Sequence, residues 1–476
     1  MVFLDRMPGE GYDYSRALNN FVFMTIRRFF MMSFSAVYIP VGVPTFHLES
    51  AQDQFDRSVA LLKGIDERFV CPEKMLLTLD DLRTFLDGLD PDLIVFQNLT
   101  FANAAYMSEV LRRFDCPLLL WTLREPVIDG GRLRLNSLTG AYSAANTLRA
   151  FDDRPFSYVF GSPDEDEVKT AVKECVKAAA VKKAMRSLRM SAIGHTPQGF
   201  GFGRALDSEL MSTFGVELEA IEARELIDMA KSYTEEECRE YLDRSFEMTC
   251  GLDETPEHNR LDHARLYKAY TDYIHSHNIG ALASRCWPDF FTSFGTPVCA
   301  VLSLLNDDGV AAACEADVYG ALSMWIGMFL SGEPVFFGDP VSLDEKENTI
   351  TFWHCGAAAC SLARHDTGAV IGVHPNRKIG PAMNFGCEAF PEATIFRIGR
   401  EADGSFRFFL AEGEVLDKPR QFIGTSIVVK TDTFSRDVVE QSVLDGFEPH
   451  FVVLKGRWAG TLRVLAEQFG FEVYDY

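Results

Sequence analysis

Residues 91–123, PDLIVFQNLTFANAAYMSEVLRRFDCPLLLWTL, decide the fold class. DLIVFQN carries a continuous apolar run, of the kind found where both faces of a parallel sheet are covered. ANAAYMSEVLRRF then reads as a helix, and CPLLLWTL is a second apolar run. Strand, helix and strand in that order make one turn of an α/β fold. Upstream, SAVYIPVG (35–42) reads as the first strand and SAQDQFDRSVALLKGI (50–65) as an amphipathic helix. LTLDDLRTFLDGL (77–89) is a further helix, with Thr78 placed to cap its first turn. This first series ends near Phe160.

A long Lys- and Ala-rich helix, EDEVKTAVKECVKAAAVKKAMRSL (165–188), leads into a second α/β series. RMSAIGH is its first strand, ALDSELMSTFG a helix with a Gly stop, and VELEAIEA and GALASRCW are further strands. From residue 333 the texture changes. EPVFFGDP, NTITFWHC, AVIGVHP, ATIFRIG, SFRFFLAEGEVL and FIGTSIVVKT are short β-like runs between turn residues, which predicts an antiparallel sheet or barrel. The chain closes with the strand HFVVLKG and the helix GTLRVLAEQFG.

The expected fold is therefore α/β, with two doubly wound Rossmann-like domains followed by a β-rich, antiparallel, barrel-like C-terminal domain. A length of 476 residues is too great for one core. The expected divisions are a leader or accessory segment 1–34, an N-terminal α/β domain 35–182, a second α/β domain 183–331 and a β-rich domain 332–476. Arg27 and Arg28 before an apolar stretch look superficially like an export signal. The plainer reading is that Ser35–Gly42 is the first strand, with Met31 or Met32 a candidate start.

A net charge of −23 argues against nucleic acid, which needs basic stripes, and against an anionic membrane surface. No stretch reaches the ~20 apolar residues of a membrane span. The 11 cysteines form no CxxC pair and several lie in apolar runs, as in a reducing, cytoplasmic compartment. A neutral substrate, or a bound cation, suits the charge.

Candidate chemistry gathers in the C-terminal half. In CEADVYGALSMWIGMFLSG, Ala321, Met324, Trp325, Met328 and Phe329 recur at helical spacing and read as core. Glu315 and Asp317 precede that helix, where the helix dipole would favour either as a cap. Asp339 ends the short run EPVFFGD before Pro340, as an Asx turn or as a carboxylate at a strand end. His450 stands just before an apolar strand, with His354 and His374 as rivals for the role of ligand or base. Gly199, Gly201 and Gly203 do not match dinucleotide-binding spacing, and a tight strand-to-helix turn fits them better.

These stretches resemble the L-fucose isomerase and L-arabinose isomerase superfamily, in its fucose-isomerase-like branch. CEADVYGALSMWIGMFLSGEPVFFGDP is similar to the block with a metal-binding Glu and, about two dozen residues later, a metal-binding Asp. EPHFVVLKGRWAGTLRVLAEQFGFEV is similar to the block whose His completes the site. WHCGAAACSLA resembles the family's Gly-Ser-Ala-Ala-type strand near the substrate, and ALASRCWPDF its Arg-Trp-containing strand. The resemblance implies a metal-dependent aldose–ketose isomerase acting through an enediol. Its metal would be Mn²⁺, with Mg²⁺ or another divalent ion as alternatives, held by Glu315, Asp339 and His450. Glu315 and Asp339 would also be the acid/base pair, and Arg285, Trp287 and His354 would contact the sugar. It further implies a homo-oligomer, a trimer or hexamer. Gly356-Ala357 stands where the family has Gly-Ser, and Cys286 where it often has a polar side chain, so the sugar need not be L-fucose. A non-catalytic sugar-binding protein is the alternative of a different class. A metal-dependent epimerase or lyase would share the enediolate.

Overall fold

The computed structural model describes residues 34–152 and 154–476; apart from Phe34, the expected leader lies outside them. The described chain forms two compact units, residues 34–183 with 460–472, and 184–459 with 473–476.

The first unit is built on a parallel sheet of β1 (Ala36–Val41), β2 (Leu93–Asn98), β3 (Leu118–Thr122) and β4 (Ser157–Phe160), in that order. Every residue of β1, β2 and β3 is buried, as the unbroken apolar runs require. Between the strands run α1 (Leu48–Ile65), α2 (Leu79–Leu86), α3 (Ala104–Leu111) and α4 (Ser137–Asp152), and α5 (Asp166–Met185) follows β4. The Thr78 hydroxyl accepts the Asp81 N–H at 3.1 Å and so caps α2. Apolar runs report burial but not strand order. The order here never reverses, so "doubly wound" does not describe this sheet.

It does describe the parallel sheet of the second unit. Its strands are β5 (Arg189–Ile193), β6 (Glu217–Ile221), β7 (Ala281–Ser284) and β8 (Ala311–Cys314), ordered β6-β5-β7-β8. The order reverses at β5, the kind of switch point beside which α/β sheets bind ligands. The helices of this series are α6 (Asp207–Phe214), α7 (Ala223–Ser232), α8 (Arg239–Met248), α9 (Glu257–His277), α10 (Cys299–Asp307) and α11 (Val318–Ser331). Gly215 stops α6 at φ 70°, a backbone conformation in which a Cβ is strained.

After α11 come β9 (Phe336–Asp344), β10 (Thr349–His354), the two-residue strands β11 (Ile371–Gly372) and β12 (Ala382–Met383), β13 (Phe390–Arg400), β14 (Phe406–Val415), β15 (Thr425–Thr431), α12 (Ser435–Leu444), β16 (Phe451–Lys455), α13 (Ala459–Phe469) and β17 (Glu472–Asp475). The sheet order is β13-β16-β9-β10-β15-β14-β17, and a further pairing of β13 with β14 closes it as a barrel would. The parallel sheet and this closed sheet share one core: Ile193, Leu282 and Ala312 belong to the same cluster as Phe336, Ile350, Ile395 and Val453. That shared core explains why residues from the expected second and third domains fall within one unit. Helix α11 touches β7 and β8 of the one sheet and β13 and β16 of the other. Every residue from Val318 to Leu330 is buried, so the helix is apolar all round.

Candidate active site

Strand β8 carries the first site residue. It pairs in parallel with β7, Ser284 opposite Cys314, so Glu315 emerges at the carboxyl end of the sheet. Glu315 and Ala316 both adopt left-handed backbone, with φ of 60° and 56°. That conformation costs about 1–2 kcal/mol for each residue bearing a Cβ, and such strain gathers at functional turns. The turn separates the two acids. Asp317 caps α11, its Oδ1 accepting the Gly320 N–H at 2.8 Å, while Glu315 does not cap and points elsewhere.

The closed sheet brings the remaining residues by register. Strand β16 runs antiparallel to β9 with Phe451 opposite Gly338, so one step along the same register sets His450 against Asp339. On the other side of β9, Trp353 of β10 faces Asp339, which places His354 at the adjoining corner. His450 Nε2 lies 2.9 Å from Glu315 Oε2 and 3.5 Å from Asp339 Oδ1. Donor atoms of Glu315, His354 and His450 all fall within 4.8 Å of one another. Phe202 and Phe337 wall the His450 ring at 5.4 and 4.8 Å between centroids. Gly203 lets the preceding loop press in, since a Cβ there would stand 2.7 Å from the Asp317 Cα.

Two residues that the sequence reading did not place in the site hold it together. Asp317 Oδ2 accepts the His450 Nδ1–H at 2.8 Å, which turns Nε2 toward the two carboxylates. Arg397, in β13, donates through Nη1 to Asp317 Oδ2 at 2.8 Å and to the His450 carbonyl at 2.9 Å. Side chains of Arg397, Asp317 and His450 are each 1% exposed. The signal for Arg397 was present in ATIFRIG: an arginine inside an otherwise buried strand requires a partner.

Burial raises the Asp317 carboxyl, yet the Arg397 guanidinium and the His450 hydrogen bond outweigh it and hold the group well below the usual range. Burial pulls His450 down, but its bonds to Asp317 and Glu315 lift the imidazole to about 9. Asp339 is raised, chiefly by burial, against the opposing pull of His450 and His354. His354 is lowered by burial and raised more by Cys355, Glu315 and Asp339, reaching about 10. Cations are thus favoured where these acids meet.

Of the expected sugar contacts, His354 lies in the cluster. Arg285 is turned to Asp289, 2.9 Å from Nε, and donates to the Trp287 carbonyl at 3.1 Å. Trp287 reaches the cluster through rings, first Phe200 at 6.3 Å, then Phe202 at 5.5 Å from Phe200. Beside the turn, a cavity of about 460 Å³ opens at the ends of β5 and β6, lined by Gly194, Arg204, Glu222 and Ala316 among others. It lacks Glu315, Asp339 and His450, and the convergence of their side chains rather than this space marks the candidate site.

Among the described residues, no helix is long and apolar enough to cross a membrane. No family model matches the chain. It is 60% identical over 446 residues to the sulfoquinovose isomerase of Clostridium sp. (strain MSTE9), an alignment covering 94% of this chain and 100% of that protein. The sulfoquinovose isomerase of Priestia aryabhattai is 37% identical over 450 residues, 94% of this chain and 100% of its own. That of Alkalicoccus urumqiensis is 35% identical over 449 residues, 93% and 99%.

Proposed function

This chain belongs to the sulfoquinovose isomerase family and is an aldose–ketose isomerase, and from that premise we propose that it converts sulfoquinovose to its ketose through an enediol, at a divalent metal held by Glu315, Asp339 and His450. The observation that carries the reading is the convergence of those three side chains around His450 Nε2. Donor atoms of Glu315, His354 and His450 lie within 4.8 Å of one another and Asp339 Oδ1 stands 3.5 Å from His450 Nε2, so an ion would be held by Glu315 and His450 with Asp339 alongside. The donor set, two carboxylates and one imidazole, suits Mn²⁺ or Mg²⁺ rather than a thiolate-seeking ion. His450 is prepared for the role by Asp317, and a cation beside Nε2 would take the place of the proton the acids now favour there. When bound, such an ion supplies Lewis acidity at the sugar's oxygens.

The chain's own groups move the protons. One carboxylate of the Glu315 and Asp339 pair takes the proton from C2, and the electron pair becomes the C1=C2 bond of the enediol. The carbonyl oxygen at C1 gains a proton, and return of a proton to C1 with loss of one from the C2 hydroxyl completes the ketose. Nothing is oxidised or reduced by an outside reagent. Burial raises Asp339 toward working pH, which makes it a stronger base than a solvated carboxylate. Phe202 and Phe337 set apolar rings against the His450 imidazole, which strengthens the electrostatics there.

The likeness to L-fucose and L-arabinose isomerases belongs to the same reading, as do a trimeric or hexameric assembly and a cytoplasmic setting, to which the free cysteines add support. Incubating the Mn²⁺-loaded enzyme with sulfoquinovose in deuterated water tests the reaction. NMR is expected to find the ketose, with solvent deuterium at C1. Deuterium at C2 of an epimeric aldose, or cleavage into smaller fragments, would overturn the reading.

A further inference from the structure

Sulfoquinovose is a glucose whose C6 hydroxyl is replaced by a sulfonate, a permanent anion. A chain with a net charge of −23, whose site is lined by carboxylates, repels such a substrate unless a cation receives it. The loop between β11 and β12 offers one. Arg377 and Lys378 stand together there, exposed, with no ion pair to a carboxylate among the described residues.

The loop is tied to itself by hydrogen bonds. The His374 N–H donates to the Ile379 carbonyl at 2.9 Å, and the Lys378 N–H returns to the His374 carbonyl at 2.9 Å. The His374 ring accepts the backbone N–H groups of Asn376 and Arg377, each at 3.3 Å. So held, the Arg377 guanidinium lies over the rings of Trp287 at 5.3 Å and Phe291 at 5.9 Å. The guanidinium thus rests beside an aromatic wall, and its fork of N–H donors is of the kind that receives an oxyanion in two parallel bonds.

Two routes tie this loop to the metal-ligand cluster. One runs through rings, Trp287 to Phe200 to Phe202 to His450. The other runs through donor atoms: those of His374, Cys299 and Cys355 lie within 4.8 Å of one another, as do those of Cys355, Cys314 and His354, and those of His354, Glu315 and His450. In the sugar, six bonds separate C1 from the sulfur, about 7 Å when extended, so reaction at the carboxylates carries the sulfonate well away from them.

We propose that Arg377, stacked on Trp287, binds the substrate's sulfonate and sets the enzyme's preference for a sulfonated sugar over a neutral one. The inference rests on the isomerase reading above and adds the residue that recognises the anion. Steady-state assays of the Mn²⁺-loaded enzyme with sulfoquinovose and with 6-deoxy-D-glucose, the same sugar without its sulfonate, test it. Arg377→Met should lower kcat/KM for sulfoquinovose about 10- to 150-fold, the worth of one charged hydrogen-bonding group, mostly through KM. Activity toward 6-deoxy-D-glucose should be unchanged, and Arg377→Lys should recover part of the loss, because a point charge replaces the fork. An equal loss on both sugars would give Arg377 a merely structural role and overturn the proposal. So would sulfoquinovose activity within about threefold of wild type. If the wild-type enzyme converts 6-deoxy-D-glucose but not sulfoquinovose, the substrate itself is wrong; if it converts neither, the isomerase reading fails first.

Discussion

Glu315→Gln and Asp339→Asn are each expected to lower kcat by at least about a thousandfold while the protein stays folded. Each substitution keeps the shape of the side chain and removes a negative charge. A carboxamide neither takes a proton from C2 nor holds a divalent ion as a carboxylate does. Loss of general acid–base work alone costs about a hundred- to ten-thousandfold, and a weakened metal adds to that. Stability should hardly change. The one described side-chain hydrogen bond of Glu315 is to His450, and its φ of 60° is equally strained for glutamine. Asp339 sits at the rim of β9, 31% exposed, beside a charged His450 that would be left less crowded by acid. Circular dichroism and thermal unfolding check the fold, and steady-state kinetics the loss. Variants retaining a tenth or more of wild-type kcat would contradict the assignment.

Arg397→Met is expected to have the largest effect on stability. Asp317 is wholly buried, and Arg397 supplies both its charge balance and two of its hydrogen bonds, at 2.8 and 3.3 Å. Removing one member of a buried ion pair leaves the other charged in a dry place, at a cost of about 3–5 kcal/mol. Methionine fills much of the arginine's volume, so little of the loss comes from a cavity. The same substitution frees the His450 carbonyl, and with it the orientation of the imidazole. Denaturant unfolding should show a midpoint lowered by a large part of its wild-type value at unchanged slope. An unshifted midpoint would mean that the Asp317–Arg397 pair does not hold the site.

How much of this was legible in the sequence differs from residue to residue. The unbroken runs of β1, β2 and β3 announced a buried parallel sheet because their burial is as continuous as their hydrophobicity. Strand order was not legible: nothing in a run such as LIVFQN says which neighbour it takes, and only one of the two parallel sheets reverses. Strand β8 went unread, since Ala311–Cys314 is made of residues that favour helix and gains its strand form from pairing with β7. With it went the reason for the turn at Glu315, which left both acids to be read as helix caps; the structure gives that role to Asp317 alone. Glu315, Asp339 and His450 were found by resemblance between blocks, because they are 24 residues or more apart in the chain and meet only through sheet register. His354 arrived by the same register through β10. Asp317 and Arg397 are buried and act through His450, and so left only indirect marks, one of them a charge inside a buried strand.

Metal content and turnover measured together on one preparation test the central claim most directly. The purified enzyme is stripped with a chelator, dialysed, and titrated with Mn²⁺ while bound metal and sulfoquinovose isomerisation are followed. Activity is expected to vanish on stripping and to return in proportion to one ion bound per chain, and Glu315→Gln is expected to bind that ion far more weakly. Near-native turnover in the stripped enzyme would contradict the claim.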